Sequence, residues 1–298
     1  MRKYRDTILK VVVIIVMIAV FVLTVYPIYF CVIASFSEPA DVVSGKVMFK
    51  PSGFTLEAYK SLLNEKSIWT GYRNSLVYTL LGTLLSLMLT IPAAYVLSKK
   101  TLPGHKILSW YFVIIMYFSG GMIPTYLIVK NLGLLNKPYT LIVLGSFTVF
   151  NMVVARVYFE SSIPGELYES AKIDGCSEFG AFFKIALPLA KPIIAVVALY
   201  YASARWNEYY RSLIYISNSD YFPLQLVLRN ILIESQMAAA QIDPSMEDSM
   251  IEAVLRKAYL AETMKYALIL IASAPMLILY PFLQKYFVKG IMLGAVKG

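Results

Sequence analysis

Three places in this chain hold residues whose types and spacing can do chemistry. The first is Tyr200, Tyr201, Arg205, Trp206, Asn207, Glu208, Tyr209 and Tyr210, which crowd one end of an apolar run. They set aromatic faces beside guanidinium, amide and carboxylate groups, the mix that fixes a small polar ligand. At a bilayer surface the same residues make an interfacial aromatic belt, and both readings stay open. The second is Tyr117-Phe118-Ser119-Gly120-Gly121 with Pro124, which interrupts another apolar run. A broken helix at membrane depth marks either a packing kink or a binding site. The third is the charged segment 158–192, with Glu166, Glu169, Lys172, Asp174 and Glu178 around Gly175. Asn151 is a lone amide in an apolar stretch, a pattern more typical of an interhelical hydrogen bond than of a ligand contact.

None of these is a catalytic set. The sequence has no G-x-x-x-x-G-K-[ST] phosphate loop, so nucleotide hydrolysis by that route is excluded. It has no HExxH, GxSxG or Cys-x-x-Cys motif. Its 2 cysteines, Cys31 and Cys176, fall at different depths and read as unpaired thiols. Its single histidine gives no histidine cluster for a metal.

The elements that must carry these residues follow from composition. Of 298 residues 59% are hydrophobic and 15% charged, with a mean hydropathy of +0.66. That excess of apolar side chains excludes a disordered chain and argues against a water-soluble enzyme. Crossing the hydrocarbon core takes about 20 mostly apolar residues. Six stretches qualify: 8–35, 74–98, 107–129, 139–158, 189–205 and 264–287. Arg2, Lys3 and Arg5 precede the first, but its apolar part outruns a signal-peptide core, so it reads as a retained span.

The net charge of +9 is better read as membrane anchoring than as an affinity for nucleic acid. With the N-terminus inside, 14 of the 27 basic residues face the cytoplasm, including Lys99, Lys100, Lys106, Arg156, Lys285 and Lys297, for an inner net charge of +8 against +1 outside. Both termini are thus expected inside. The outer loops 36–73 and 206–263 are long and mixed in charge, and the 130–138 link is short. Spans two, three, four and six carry almost no ionisable groups, whereas proton-driven transporters bury them. A transporter so built must take its energy from a partner.

Locally, Ser162, Pro164 and Glu166 suit a helix start on the inner side. Leu167 and Ala171 form a small apolar stripe, and Gly175 permits a sharp turn. Ser177 and Glu178 open a second helical piece, expected to end before Leu187-Pro188. Pattern alone makes this a short helix, a glycine turn and a short helix, which also describes an amphipathic surface linker.

The same segment resembles the signature of ABC-importer permease subunits, E-A-A, three residues, G, nine residues, I-x-L-P. The matching residues are Glu169-Ser170-Ala171, Gly175, Ile185, Leu187 and Pro188, with Ser170 as the departure. Pro164-x-Glu166-Leu167 and Ile173-Asp174-Gly175 resemble the carbohydrate branch, as does the tail from Leu283 to Gly298. Trp206-Asn207-Glu208 with Pro223-Leu224-Gln225, and Ser119-Gly120-Gly121-Met122-Ile123-Pro124, are similar to its polysaccharide and multiple-sugar permeases.

The resemblance implies one transmembrane permease domain, residues 1–298, of all-α, MetI-like fold with six transmembrane helices, in a type I importer of a prokaryotic cell membrane. It implies a second permease subunit, two ATPase subunits and an extracytoplasmic solute-binding protein as partners. No cofactor belongs to this chain; ATP and Mg are used by the ATPase subunits. Loop 160–188 becomes the ATPase-coupling element, with Glu169, Ala171, Asp174, Gly175, Ile185, Leu187 and Pro188 as its residues. Tyr117, Gly120, Gly121, Asn151, Arg205, Trp206, Asn207 and Glu208 become candidates for the sugar pathway or for binding-protein contact. An importer of peptides or amino acids is the alternative, since the coupling motif is shared. A membrane-embedded enzyme is disfavoured for want of paired carboxylates or a nucleophile–base set.

Overall fold

A computed structural model describes residues 2–239 and 248–295, and every regular element among them is helical. Residues 240–247 of the expected outer loop, and Lys297 of the tail, lie outside the described residues. In chain order the elements are α1 (Arg2–Ser35), α2 (Pro39–Val43), α3 (Glu57–Asn64), α4 (Lys66–Ser98), α5 (His105–Tyr117), α6 (Met122–Asn131), α7 (Pro138–Val143) and α8 (Val149–Ser162). They continue with α9 (Gly165–Ile173), α10 (Glu178–Ala181), a π-helical turn at Phe182–Ala186, α11 (Leu187–Leu189), α12 (Lys191–Trp206), α13 (Tyr210–Tyr215), α14 (Leu224–Ala239) and α15 (Asp248–Ala295).

Among the described residues three helices are long and apolar enough to cross a membrane: Asp6–Ser35, Lys66–Ser98 and Val254–Ile278. Two further candidates are bent pairs, α5 with α6 at 108° and Glu178–Leu189 with α12 at 77°. The third stretch is thus interrupted where two glycines stand. Phe118 turns extended, Gly121 takes φ +84°, and Pro124 sits in the first turn of α6, where its missing N–H costs nothing. The fourth stretch forms two shorter helices, α7 and α8, with Gly145 at φ +74° between them, and is not one of these candidates, so the described residues give up to five spans where six were expected.

The chain divides into two compact units. One comprises the residues up to Ile68 together with Leu228–Ala274. Its α1 exposes aliphatic side chains along most of its length, Ile14 and Leu23 among them, as a lipid-facing helix does. At its end Ile33, Ala34, Val42 and Val47 form a small core with Phe30 and Tyr266. The Asp41 carboxylate accepts from the Ser52 hydroxyl at 2.6 Å and pairs with Lys46 at 3.1 Å; the first contact, then the second, holds its pKa below the usual range.

The other unit comprises Trp69–Val227 and the residues from Pro275 onward. Its core lies where α4, α8 and α12 meet: Ile91, Ala94 and Tyr95 pack with Met152, Ala155 and Phe159, and with Ile193, Val197 and Tyr201. Small residues at Ala94, Ala155 and Ala190, all fully buried, let the helices approach closely.

The helical piece after Gly175 does not stop before Leu187-Pro188 as expected; it runs through both to Leu189. A proline inside a helix loses one hydrogen bond and its ring collides with the carbonyl four residues back. Here that carbonyl belongs to Lys184, within the wide π-helical turn, and the bulge makes room for the ring.

Candidate functional site

The inner loop is built on α9. Glu166 lies in its first turn and Lys172 in its last, each opposing the nearer end of the helix dipole. Its C-terminus closes as a Schellman motif: the Gly175 N–H donates to the Lys172 carbonyl at 3.1 Å, and the Cys176 N–H to the Ala171 carbonyl at 2.8 Å. Gly175 sits at φ +75°, a left-handed conformation that costs a side-chain-bearing residue dearly. Ser177 then caps α10, its hydroxyl accepting from the Gly180 N–H at 3.2 Å.

Of the expected stripe, Ala171 is buried while Leu167 is exposed. Ile173 is 87% exposed and Glu169 also faces outward, its side chain without an ion pair or hydrogen bond among the described residues. Among the described residues Glu169 thus has no internal ion pair, and its carboxylate faces outward from α9. Asp174 is exposed, Ile185 and Leu187 are half-buried, and Pro188 is exposed. A cavity of about 370 Å³ opens beside α9, lined in part by Lys99, Lys100, Glu160, Glu169 and Lys172.

The cluster around α12 is organised by its arginine. Arg205 is 8% exposed; its Nη1 donates to the Leu141 carbonyl at 2.8 Å and its Nη2 to the Ser86 hydroxyl at 3.3 Å. Glu208 pairs with Arg211 at 3.4 Å and accepts from the Arg211 N–H, and Arg211 Nη1 donates to the Leu144 carbonyl at 3.2 Å. Ser146 supplies the donors between: its hydroxyl reaches the Ile142 carbonyl at 2.8 Å and its N–H the Val143 carbonyl at 3.1 Å. Each carbonyl that α7 leaves free at its end, from Leu141 to Leu144, thus has a donor, as a helix broken at membrane depth requires.

The start of α8 is held from the same helix. The Thr148 N–H and hydroxyl donate to the Tyr201 hydroxyl at 3.1 and 3.2 Å, and Thr90 shares a 2.7 Å hydrogen bond with it. Helices α12 and α13 therefore bridge the break between α7 and α8, through Tyr201 on one side and Arg205 and Arg211 on the other.

The candidate pathway residues do not converge on one point. Arg205 and Glu208 line a small cleft of about 10 Å³ with Ser75, Tyr78 and Ser212. Trp206, 2% exposed, packs near Tyr72 at 5.9 Å and borders an apolar cleft of about 300 Å³ with Thr79 and Thr83. Asn207 is exposed and its amide donates to the Ser203 carbonyl. Tyr117, Gly120 and Gly121 are exposed at the bend of the third stretch, which the Tyr210 hydroxyl reaches through Met122 Sδ at 3.2 Å. Asn151 is buried on α8. The sequence reading missed Arg211 and Ser86, whose partners Leu144 and Arg205 lie far along the chain, and Ser146, whose partners Ile142 and Val143 are local. Gly145 in an apolar run was the one local sign of the break they serve. No group of three metal-ligating side chains occurs among the described residues.

A family described as "Binding-protein-dependent transport system inner membrane component" matches residues 67–293. The chain is 41% identical over 276 residues to protein LplC of Bacillus subtilis, covering 93% of this chain and 90% of that one. It is 40% identical over 274 residues to the polygalacturonan/rhamnogalacturonan transport system permease protein YtcP of the same organism, covering 92% and 93%. Among solved structures it resembles, at TM-score 0.83 and 31% identity over 95% of this chain and 97% of that one, a chain of a bacterial ABC transporter involved in the import of the acidic polysaccharide alginate.

Proposed function

The chain belongs to the family of binding-protein-dependent transport system inner membrane components, and from that premise we propose that it is the transmembrane permease subunit of an ATP-driven importer of oligosaccharides or multiple sugars. The observation that carries the reading is the likeness over nearly the whole chain to permeases named for sugar polymers, together with a fold shared with an importer of one. The architecture is MetI-like and type I, with six spans and both termini in the cytoplasm.

Contacts within the second unit support that topology. The 99–106 link and the 160–188 loop, both assigned to the inner side, meet where the Lys99 ammonium lies 3.0 Å from the Tyr168 ring centroid, and Arg156, at the inner end of the fourth stretch, lies 3.2 Å from His105. The links assigned to the outer side also meet: Asn136 Oδ1 accepts from the N–H groups of Ser217 and Asn218 at 3.1 and 2.9 Å.

The partners proposed are a second, different permease subunit, two ATPase subunits that bind ATP and Mg, and an extracytoplasmic binding protein that delivers the sugar. This chain contributes half of the pathway and, through α9, a rigid element that passes movement from the ATPase to the spans. Glu169, Ala171, Asp174, Gly175, Ile185, Leu187 and Pro188 form that element. Arg205 and Glu208 shape the outer half of the pathway, while Tyr117, Gly120, Gly121 and Asn207 face it or the binding protein.

The test is uptake of labelled oligosaccharide into proteoliposomes holding the purified complex. Accumulation should require ATP inside and loaded binding protein outside. Uptake without either, or competition by peptides and not by oligosaccharides, would overturn the proposal.

A further inference from the structure

The end of α4 meets the inner loop through two nearby side chains, Tyr95 and Lys99. Lys99 follows directly on the helix, and its ammonium lies 3.0 Å from the centroid of the Tyr168 ring on α9 and 4.9 Å from that of Tyr95 on α4. Tyr95, 5% exposed, is itself ringed by Phe159 at 5.7 Å, Tyr168 at 6.0 Å and Phe182 at 5.0 Å. The aromatic cluster therefore draws one ring each from α4, α8, α9 and the π-helical turn. Lys99 closes it on the α9 side and has no carboxylate within ion-pair distance among the described residues.

Two further facts separate this contact from incidental packing. Burial pushes the Lys99 pKa down, with the Glu178 carboxylate opposing, as for an ammonium partly withdrawn from water against ring faces. The hydroxyls of Tyr95 and Tyr168 are buried with no hydrogen-bond partner among the described residues. Those residues serve here as rings, and a partly desolvated ammonium over a ring face is attracted by its quadrupole.

The chain itself joins α9 to spans four and five, through Pro164 and through Gly175. It does not join α9 to span two, the helix that offers Ser86 to Arg205 and Thr90 to Tyr201. We propose that Lys99 is a positioning residue for coupling: its ammonium on Tyr168 ties α9 to span two, so that movement of the loop also moves the helix that supports the outer cluster. This rests on the reading of α9 as the ATPase-coupling element.

The experiment compares the reconstituted complex carrying Lys99→Met, Lys99→Arg, Tyr168→Phe, Tyr168→Leu and the double variant Lys99→Met/Tyr168→Leu. It measures complex yield, ATP hydrolysis with and without loaded binding protein, and sugar taken up per ATP hydrolysed. Lys99→Met and Tyr168→Leu should each lower sugar per ATP by about fivefold or more, and the double variant no further than either. Lys99→Arg should keep at least half of the wild-type ratio, and Tyr168→Phe should match wild type because the hydroxyl has no partner. A ratio unchanged in Lys99→Met, additive losses in the double variant, or Tyr168→Phe as damaged as Tyr168→Leu would each overturn the proposal. Should Lys99→Met fail to assemble, the Phe and Leu variants at Tyr168 still decide it. A wild-type complex whose ATPase ignores loaded binding protein would instead sink the underlying coupling reading.

Discussion

The guanidinium of Arg205 occupies the space that a side chain at Gly82 would fill: a Cβ built there collides with its Cζ, Nη1 and Nε. Gly82 lies on α4 and Arg205 on α12, so the two helices meet through a notch and a buried cation. From the notch Arg205 reaches the Leu141 carbonyl at the break in span four. The notch at Gly82 thus bears on how α4, α12 and α7 meet.

Gly82→Ala should therefore be far more damaging than an alanine in a helix usually is. The atoms it strikes end a flexible side chain, but that chain is enclosed and tied by two hydrogen bonds. Moving it leaves the Leu141 carbonyl and the Ser86 hydroxyl short of a donor, at a cost of about 1–3 kcal/mol. The expected result is a lower thermal midpoint for the purified complex and reduced uptake. Arg205→Met should reproduce both effects. An alanine variant as stable and active as wild type would show that the arginine seat carries no weight.

How much of this was legible in the sequence depended on distance along the chain. Apolar length located the helices, because the signal for a span is local. The bend at Gly120-Gly121 and the turn at Gly175 were also local, each marked by glycine and close polar residues. The break in span four was not read, since Gly145-Ser146 is a small lapse in an apolar run and its arginine donors lie 64 and 67 residues away. The same distance hid the seating of Lys99 on Tyr168. The fate of Leu187-Pro188 was misread for another reason: a π-helical turn has no composition of its own and shows only in the backbone.

Trp206 and Glu208 should now separate. Trp206 is enclosed, and removing such a ring costs about 3–5 kcal/mol. Trp206→Ala is expected to lower complex yield as well as uptake. Glu208→Ala removes the carboxylate that orients Arg211 and so loosens the Leu144 end of the break. It should cut uptake severalfold while the complex still assembles. Yield and uptake measured side by side decide this, and normal transport in both variants would leave the aromatic belt as the better account.

Topology has its own check. Ser61 lies on α3, in the first outer loop, and Lys100 lies just past the end of α4. A cysteine at Ser61 should react with an impermeant thiol reagent added outside intact cells, and one at Lys100 only after permeabilisation. The opposite pattern would reverse the orientation drawn from the charge distribution.

The loop proposed for coupling gives the sharpest expectation, because its two key positions act by different means. Nothing lies within 4 Å of a Cβ placed at Gly175, so a substitution there meets no clash. Its whole effect must come from the backbone, which stands at φ +75° to close the Schellman turn. Forcing a β-branched residue into that conformation costs on the order of 1–3 kcal/mol, and the turn can relieve it only by re-aiming α9 against α10. Gly175→Val should accordingly lower sugar-stimulated ATP hydrolysis and uptake together, and Gly175→Asn, which tolerates the left-handed region, should be milder. Glu169 is exposed on α9, so Glu169→Ala disturbs nothing inside the chain and can act only through what docks on the loop. It should weaken stimulation while leaving the thermal midpoint of this subunit unchanged. The measurement is ATPase activity of the reconstituted complex with and without loaded binding protein. Full stimulation in both Gly175→Val and Glu169→Ala would remove the loop from the coupling path.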